Sequence, residues 1–170
     1  MITLKTIMTL VQAIEFRNAG FLKESRDILE NLLTEAPEDA MLHYHLGVTI
    51  GRLGEHRAAI ASYRHALELG LPDENEAQAL LAIATTFRAR GRYFEAAREL
   101  RRGLLRRPGD DALRALLALC LNKLGMYDDA LHIAMQLLLS TTNSRSLLEH
   151  SSLLSIYMEE LVDQEDAVTA

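Results

Sequence analysis

Residues 43–67 read HYHLGVTIGRLGEHRAAIASYRHAL. The stretch holds a Leu-Gly pair at Leu46-Gly47, a helix-breaking glycine seven residues on at Gly54, and then small and aromatic residues, Ala59, Tyr63 and Ala66, at fixed offsets. A glycine in the left-handed conformation commonly closes a helix, so the stretch predicts two helices joined at Gly54. The pattern recurs along the chain. Gly20, Gly54, Gly91 and Gly125 each follow a helical stretch, at spacings of 34, 37 and 34. The three prolines, Pro37, Pro72 and Pro108, each lie 17 or 18 residues beyond one of these glycines. Proline lacks the N–H that a helix interior needs and clashes with the preceding turn. Each unit therefore reads helix, glycine turn, helix, proline stop.

Small residues keep the same period. Ala13, Gly47, Ala84 and Ala118 precede the turn glycines by seven residues, and Ser25, Ala59, Ala96 and Ala130 follow them by five. A small side chain lets two helix axes approach. Gly47 within a helix costs about 1 kcal/mol against alanine, which close packing would offset. Large apolar residues bracket these places, as with Leu46 and Ile50, Ile83 and Phe87, or Leu117 and Leu121.

This pattern resembles the tetratricopeptide repeat, whose roughly 34-residue signature carries Leu-Gly, a small-x3-aromatic pair and a closing proline. Units fall at 6–39, 40–73, 77–110 and 111–144, with three extra residues in the connection LGLPDENEA before the third. The place of the family's tryptophan holds Thr9, His43, Leu80 and Arg114, and unit four replaces the small-x3-aromatic pair with Ala130 and Ala134. The sequence is similar to a bacterial subgroup of these repeats whose partners are unassigned. The resemblance implies an all-α, right-handed superhelical solenoid of about four helix-turn-helix repeats, with first helices lining a concave groove. Residues 145–163 read as an amphipathic capping helix on which Leu147, Leu154, Tyr157, Met158 and Leu161 share a face, since a stacked array must cover its last apolar surface. Residues 164–170 read as an acidic tail.

Composition agrees. The chain has 170 residues, 49% of them hydrophobic, and no run that alternates apolar and polar residues in the manner of a strand. No apolar run approaches the roughly 18 to 20 residues that cross a bilayer. The opening MITLKTIMTLVQAIEF lacks a basic start and a small-residue cleavage site, so it reads as a helix of the mature fold. Cys120 is the single cysteine and sits in an apolar helical stretch, which reads as a buried thiol in a cytoplasmic protein.

The resemblance places the groove on the first helices. The candidate partner-binding residues are Tyr44, His45, Val48 and Arg52; Gln78, Leu81, Thr85 and Arg88; and Leu119 and Asn122. They recur at helical spacing, and a mainly apolar surface with a few polar points suits an extended peptide or an amphipathic helix. The best-known tetratricopeptide grooves grip a C-terminal carboxylate with lysine and asparagine. The corresponding places here hold Leu10, Ile14, His45, Gln78 and Ala82, so that clamp is missing. Gly51 either opens a pocket beside Tyr44 and Val48 or permits a closer helix contact.

Charge is uneven. Net charge is −6, yet the segment from Arg88 to Arg107 carries eight arginines against Glu95 and Glu99. The acidic balance, with pI about 5.5, disfavours nucleic acid, whose binding domains are basic. Spacing permits intrahelical pairs of Glu95 with Arg98 and of Glu99 with Arg102, and a solvated face is the reading. Arg17, Arg52, Arg88 and Lys123 each precede a turn glycine by two or three residues. Either they complement the helix macrodipole or they form a basic rail that attracts acidic peptide; the first needs no partner and is preferred.

No spacing of His, Cys, Asp and Glu suggests the three or four convergent ligands of a metal site, and no phosphate loop or nucleophile motif is present. His43, in the tryptophan place, is expected in the core. Asp110-Asp111 and Asp128-Asp129 read as helix caps and dipole partners. Neither catalysis nor a cofactor is expected. The reading is a non-catalytic protein–protein interaction module that binds a partner's peptide or helix in its groove. Two alternatives stand beside it. One is a homo-oligomeric scaffold with Ile7, Leu10, Val11 and Ile14 as the self-association seam of a homodimer. The other is a tetratricopeptide-type secretion chaperone.

Overall fold

A computed structural model describes the backbone of residues 4–168 and the side chains of residues 7–161. Ten α-helices and no strand occur among the described residues: α1 Leu4–Asn18, α2 Leu22–Glu35, α3 Ala40–Arg52, α4 His56–Leu69, α5 Asp73–Ala89, α6 Tyr93–Arg106, α7 Asp111–Lys123, α8 Tyr127–Thr141, α9 Arg145–Glu149 and α10 Ser151–Val168.

The punctuation does what its chemistry dictates. The four turn glycines adopt φ of +71° to +91°, the left-handed region that side chains with a Cβ avoid. Backbone amides after each turn close onto the preceding helix, as when Glu55 donates to the Ile50 carbonyl at 3.1 Å. Pro37, Pro72 and Pro108 stand between one hairpin and the next. Asp39 starts α3 by accepting from the amides of Met41 and Leu42 at 2.9 and 3.2 Å, and Asp110 starts α7 by accepting from Leu113 at 3.1 Å. Asp128 and Asp129 lie in the first turn of α8 but do not cap it; the N-cap position there is Met126. The three extra residues before the third repeat are absorbed into α5, which runs to 17 residues against 13 in α3 and α7. Its first turn carries Asp73, Glu74 and Glu76, which suit the positive end of a helix dipole.

The chain divides into two compact units, residues 1–86 and 87–170. In the first, α1 packs on α2, α2 on α3 and α3 on α4. Ala13, Leu29, Leu32 and Leu42 form a core, with Leu10, Ile28, Leu33 and Leu46 against it. Burying one such leucine contributes about 1.5–3 kcal/mol. In the second unit α6 packs on α7, α7 on α8 and α8 on α10, around Leu100, Leu113 and Leu121, each essentially inaccessible. All eight residues at the two small-residue places are buried. Gly47 shows why. A Cβ built there would lie 2.9 Å from the ring carbons of Tyr63 on α4. Gly51 settles differently, with only Ala59 Cβ nearby at 3.5 Å, so it serves a close helix contact.

Residues 145–163, expected as one helix, fall in α9 and α10, which are separated at His150. His132 on α8 donates through Nδ1 to the Met158 carbonyl at 3.0 Å and joins α8 to α10. Met158 is buried and Leu147, Leu154 and Leu161 are half-buried, whereas Tyr157 turns outward, 56% exposed. The helix extends to Val168, so the expected acidic tail begins within it; the side chains of that tail lie outside the described residues.

Candidate functional site

The site of interest in the first unit is built on α3. Capped by Asp39, this helix turns Leu42, Gly47 and Ile50 into the core. Thr49 is also fully buried. Its hydroxyl bonds the His45 carbonyl at 3.0 Å and the Ser25 hydroxyl of α2 at 3.2 Å. That pairing fixes the rotation of α3 against α2. His45, Val48 and Arg52, spaced i, i+3 and i+7, consequently share the other stripe.

Tyr44, expected to meet a ligand, is only 8% exposed. Its ring leans on Tyr63, with centroids 6.0 Å apart, and its hydroxyl donates to Gln78 Oε1 on α5. It is a buried strut between α3 and α5, and the large apolar ligand contact expected of it is unavailable. His45 and Val48 are half-buried and Arg52 is exposed. On α5, Gln78 and Thr85 are exposed and Leu81 is half-buried; the Thr85 hydroxyl is spent on the Leu81 carbonyl at 2.7 Å. On α1, Ile7 and Val11 are each 49% exposed, whereas Leu10 and Ile14 are half-buried and Leu10 packs on the core.

The remaining candidates belong to the second unit. Arg88 is half-buried there, and Leu119 and Asn122 are exposed on α7. Cys120 is inaccessible, and burial pushes its thiol pKa up, with the Arg88 charge opposing. It is a structural thiol. Glu99 is buried between Arg98 and Arg102 at 3.6 and 3.7 Å. Glu95 turns back to Arg92 at 2.6 Å instead of forward to Arg98, and Arg92 also lies over the Phe87 ring, 4.8 Å from its centroid. His43 is not a core residue. It is half-buried, donates to the Pro37 carbonyl at 2.7 Å, and meets His65 edge to face at 4.4 Å.

Arg17 is the residue whose place the sequence did not reveal. Read from the sequence as a cation that complements the helix macrodipole, it is only 8% exposed and reaches His45 Nδ1 at 3.2 Å. Arg52 donates to the Arg17 backbone carbonyl at 3.3 Å. Burial holds the Arg17 pKa below its usual value, and the Arg52 charge lowers it further. His45 is pushed down to about 4, first by burial and then by Arg17. It is a neutral imidazole at pH 7, and its Nδ1 accepts from the guanidinium. Tyr63 is raised to about 12, first by burial and then by Tyr44. Among the described residues no group of three or more His, Cys, Asp or Glu is arranged to hold a metal, and no helix is long and apolar enough to cross a membrane.

Residues 40–148 match the family model described as Tetratrico peptide repeat. The match spans well over half of the chain, which therefore belongs to the tetratricopeptide repeat family. Solved structures of MamA share its fold. The crystal structure of MamA protein is 18% identical, covers 78% of this chain and 71% of its own, and superposes with a TM-score of 0.67. MamA 41-end from Desulfovibrio magneticus RS-1 is 14% identical, covers 99% and 94%, and gives 0.68. At such identities the likeness establishes the all-α tetratricopeptide solenoid fold and nothing finer. No curated protein matches the chain. The fold is that of a protein–protein interaction module.

Proposed function

We propose that the chain is a non-catalytic module that binds a peptide or helix of a partner protein on the first-helix face of residues 1–86. One observation carries this. The place occupied by Ile14 in the first repeat is held by Val48, Thr85 and Leu119 in the next three, and at none of the four is the side chain buried. In the first unit Val48 and Leu81 offer partly open apolar surface, with Arg52, Gln78 and Thr85 exposed on the same helices. Apolar contact would supply affinity, and the polar groups would set register. Pull-down from the native cell, comparing wild type with Val48→Asp, Thr85→Arg and the second-helix control Ala61→Arg, tests the reading. Loss of the same captured protein in the first two and retention in the control supports it; retention in all three removes the face.

A second reading rests on α1, where Ile7, Met8 and Val11 are 49%, 67% and 49% exposed. These residues would form a seam between two copies of the chain. Light scattering across a dilution series distinguishes the two, because a concentration-independent monomer excludes the seam.

A further inference from the structure

Arg17 sits in the last turn of α1 with more than nine-tenths of its surface removed from solvent. A guanidinium carries five N–H donors and no acceptor. The Nη1 of Arg17 meets His45, but its buried Nε has no hydrogen-bond partner. Among the described residues neither Arg17 nor Arg52 forms an ion pair with a carboxylate. The groups around Arg17 are the second cation Arg52, the neutral imidazole of His45, and the phenols Tyr44 and Tyr63. The acid that acts electrostatically on His45 is Asp39, whose Oδ1 already accepts from two amides at the start of α3.

A buried charge without a counter-ion is costly, and folded proteins pair such charges or neutralise them. Arginine does not shed its proton in proteins. Here burial has brought a second positive charge close instead of a negative one. An anion that reached both Arg17 and Arg52 would supply the missing counter-charge. A carboxylate accepts from two guanidinium groups at once and forms short charge-assisted bonds. The exposed Arg52 is held by a single 3.3 Å contact to a backbone carbonyl, so its remaining N–H groups are free to turn toward such a ligand.

We infer that Arg17 and Arg52, with His45 beside them, form a receptor for the carboxylate of a glutamate or aspartate side chain on the partner peptide. The inference rests on the reading of this face as the partner-binding surface. It names the chemistry at one point of the partner: an acidic residue that lands at the α1–α3 end, next to the apolar surface at Val48. Neither Arg17 nor Arg52 stands at a place of the lysine and asparagine clamp for a C-terminal carboxylate; those places hold Leu10, Ile14, His45, Gln78 and Ala82.

The test is calorimetric titration of the full chain with a hexaglutamate peptide, a hexaglutamine control and inorganic phosphate, at low salt. Hexaglutamate is expected to bind saturably and hexaglutamine not at all. Arg52→Gln should weaken binding about tenfold, and Arg17→Met should abolish it. A second readout follows proton uptake by His45 in imidazole NMR. Arg17 faces that ring from α1, Asp39 acts on it from the start of α3, and the Tyr44 ring meets it edge to face at 5.2 Å, while Arg52 acts on Arg17. A carboxylate seated there favours the imidazolium, so saturation with hexaglutamate should raise the pH at which His45 titrates. Absence of saturable hexaglutamate binding up to about 10 mM overturns the proposal. So does binding that Arg52→Gln, an exposed and structurally tolerant change, leaves intact, and so does phosphate binding without hexaglutamate binding. A native partner captured through Val48 and Thr85 but indifferent to Arg17→Met and Arg52→Gln would overturn this inference alone and leave the peptide-binding reading in place.

Discussion

The contrast between Gly47 and Gly51 gives the packing of α3 against α4 a quantitative test. Both glycines lie in α3, four residues apart, and alanine in either place gains helix propensity of up to about 1 kcal/mol. Their surroundings differ. At Gly51 a Cβ meets only Ala59 Cβ at 3.5 Å, ordinary van der Waals contact. At Gly47 it would lie 2.9 Å from two carbons of the Tyr63 ring and 3.2 Å from a third. That ring is 6% exposed and lies tilted against Tyr44, with centroids 6.0 Å apart, so it has little room to retreat. Overpacking a filled interior costs roughly 1–3 kcal/mol. Gly51→Ala should therefore raise stability by up to about 1 kcal/mol. Gly47→Ala should fall below it by about 1–3 kcal/mol, because propensity cancels between the two variants and only the clash remains. Urea unfolding followed by far-UV circular dichroism measures both. For a chain of this size the gap corresponds to at least about 2–4 °C in melting temperature. Equal stability of the two variants would refute the packing of Tyr63 onto Gly47, and with it the reason the second repeat keeps a glycine there.

Three further perturbations follow from the same contacts. Asp39→Ala removes the side chain that accepts from Met41 and Leu42 and should cost about 0.5–2 kcal/mol in urea unfolding. Thr49→Val strands the buried Ser25 hydroxyl and should cost about 1–3 kcal/mol, whereas the double variant with Ser25→Ala should cost less than the two single losses added together. His45, with its folded pKa pushed down to about 4, refuses a proton that the unfolded chain accepts below its ordinary pKa of 6.5. Stability should therefore fall as pH drops from 6.5 toward about 4, by about 1 kcal/mol between pH 6.5 and 5 after allowance for partial exposure. His45→Gln should flatten that part of a pH–melting profile.

What the sequence disclosed was what depends on local chemistry. Four glycines and three prolines placed every turn of the repeats, because left-handed backbone and a missing N–H act within a residue or two. The small residues disclosed the helix contacts because a whole hairpin must close around them, and the period repeats that demand four times. The side chains at the edge of the helix faces were harder. Tyr44 lies on the border between the buried stripe and the open one, and only the Tyr63 ring above Gly47 and the amide of Gln78 decide that it turns inward. His43 followed the family's tryptophan place into an expected core position, but an imidazole that bonds the Pro37 carbonyl stays at the rim. Arg17 looked like any cation near a helix end. Its burial comes from neighbours 28 and 35 residues away in sequence, His45 and Arg52, and no local pattern records them.

The most direct measurement is site-specific photocrosslinking in the native cell. A photoreactive side chain would be placed at Val48 and at Thr85 on the first helices, and, for comparison, at the exposed Asn31 of α2 and Ala61 of α4. The expected result is one shared partner adduct at Val48 and Thr85, absent at Asn31 and Ala61. Adducts confined to the second-helix positions, or equal at all four, would contradict the assignment of the binding surface.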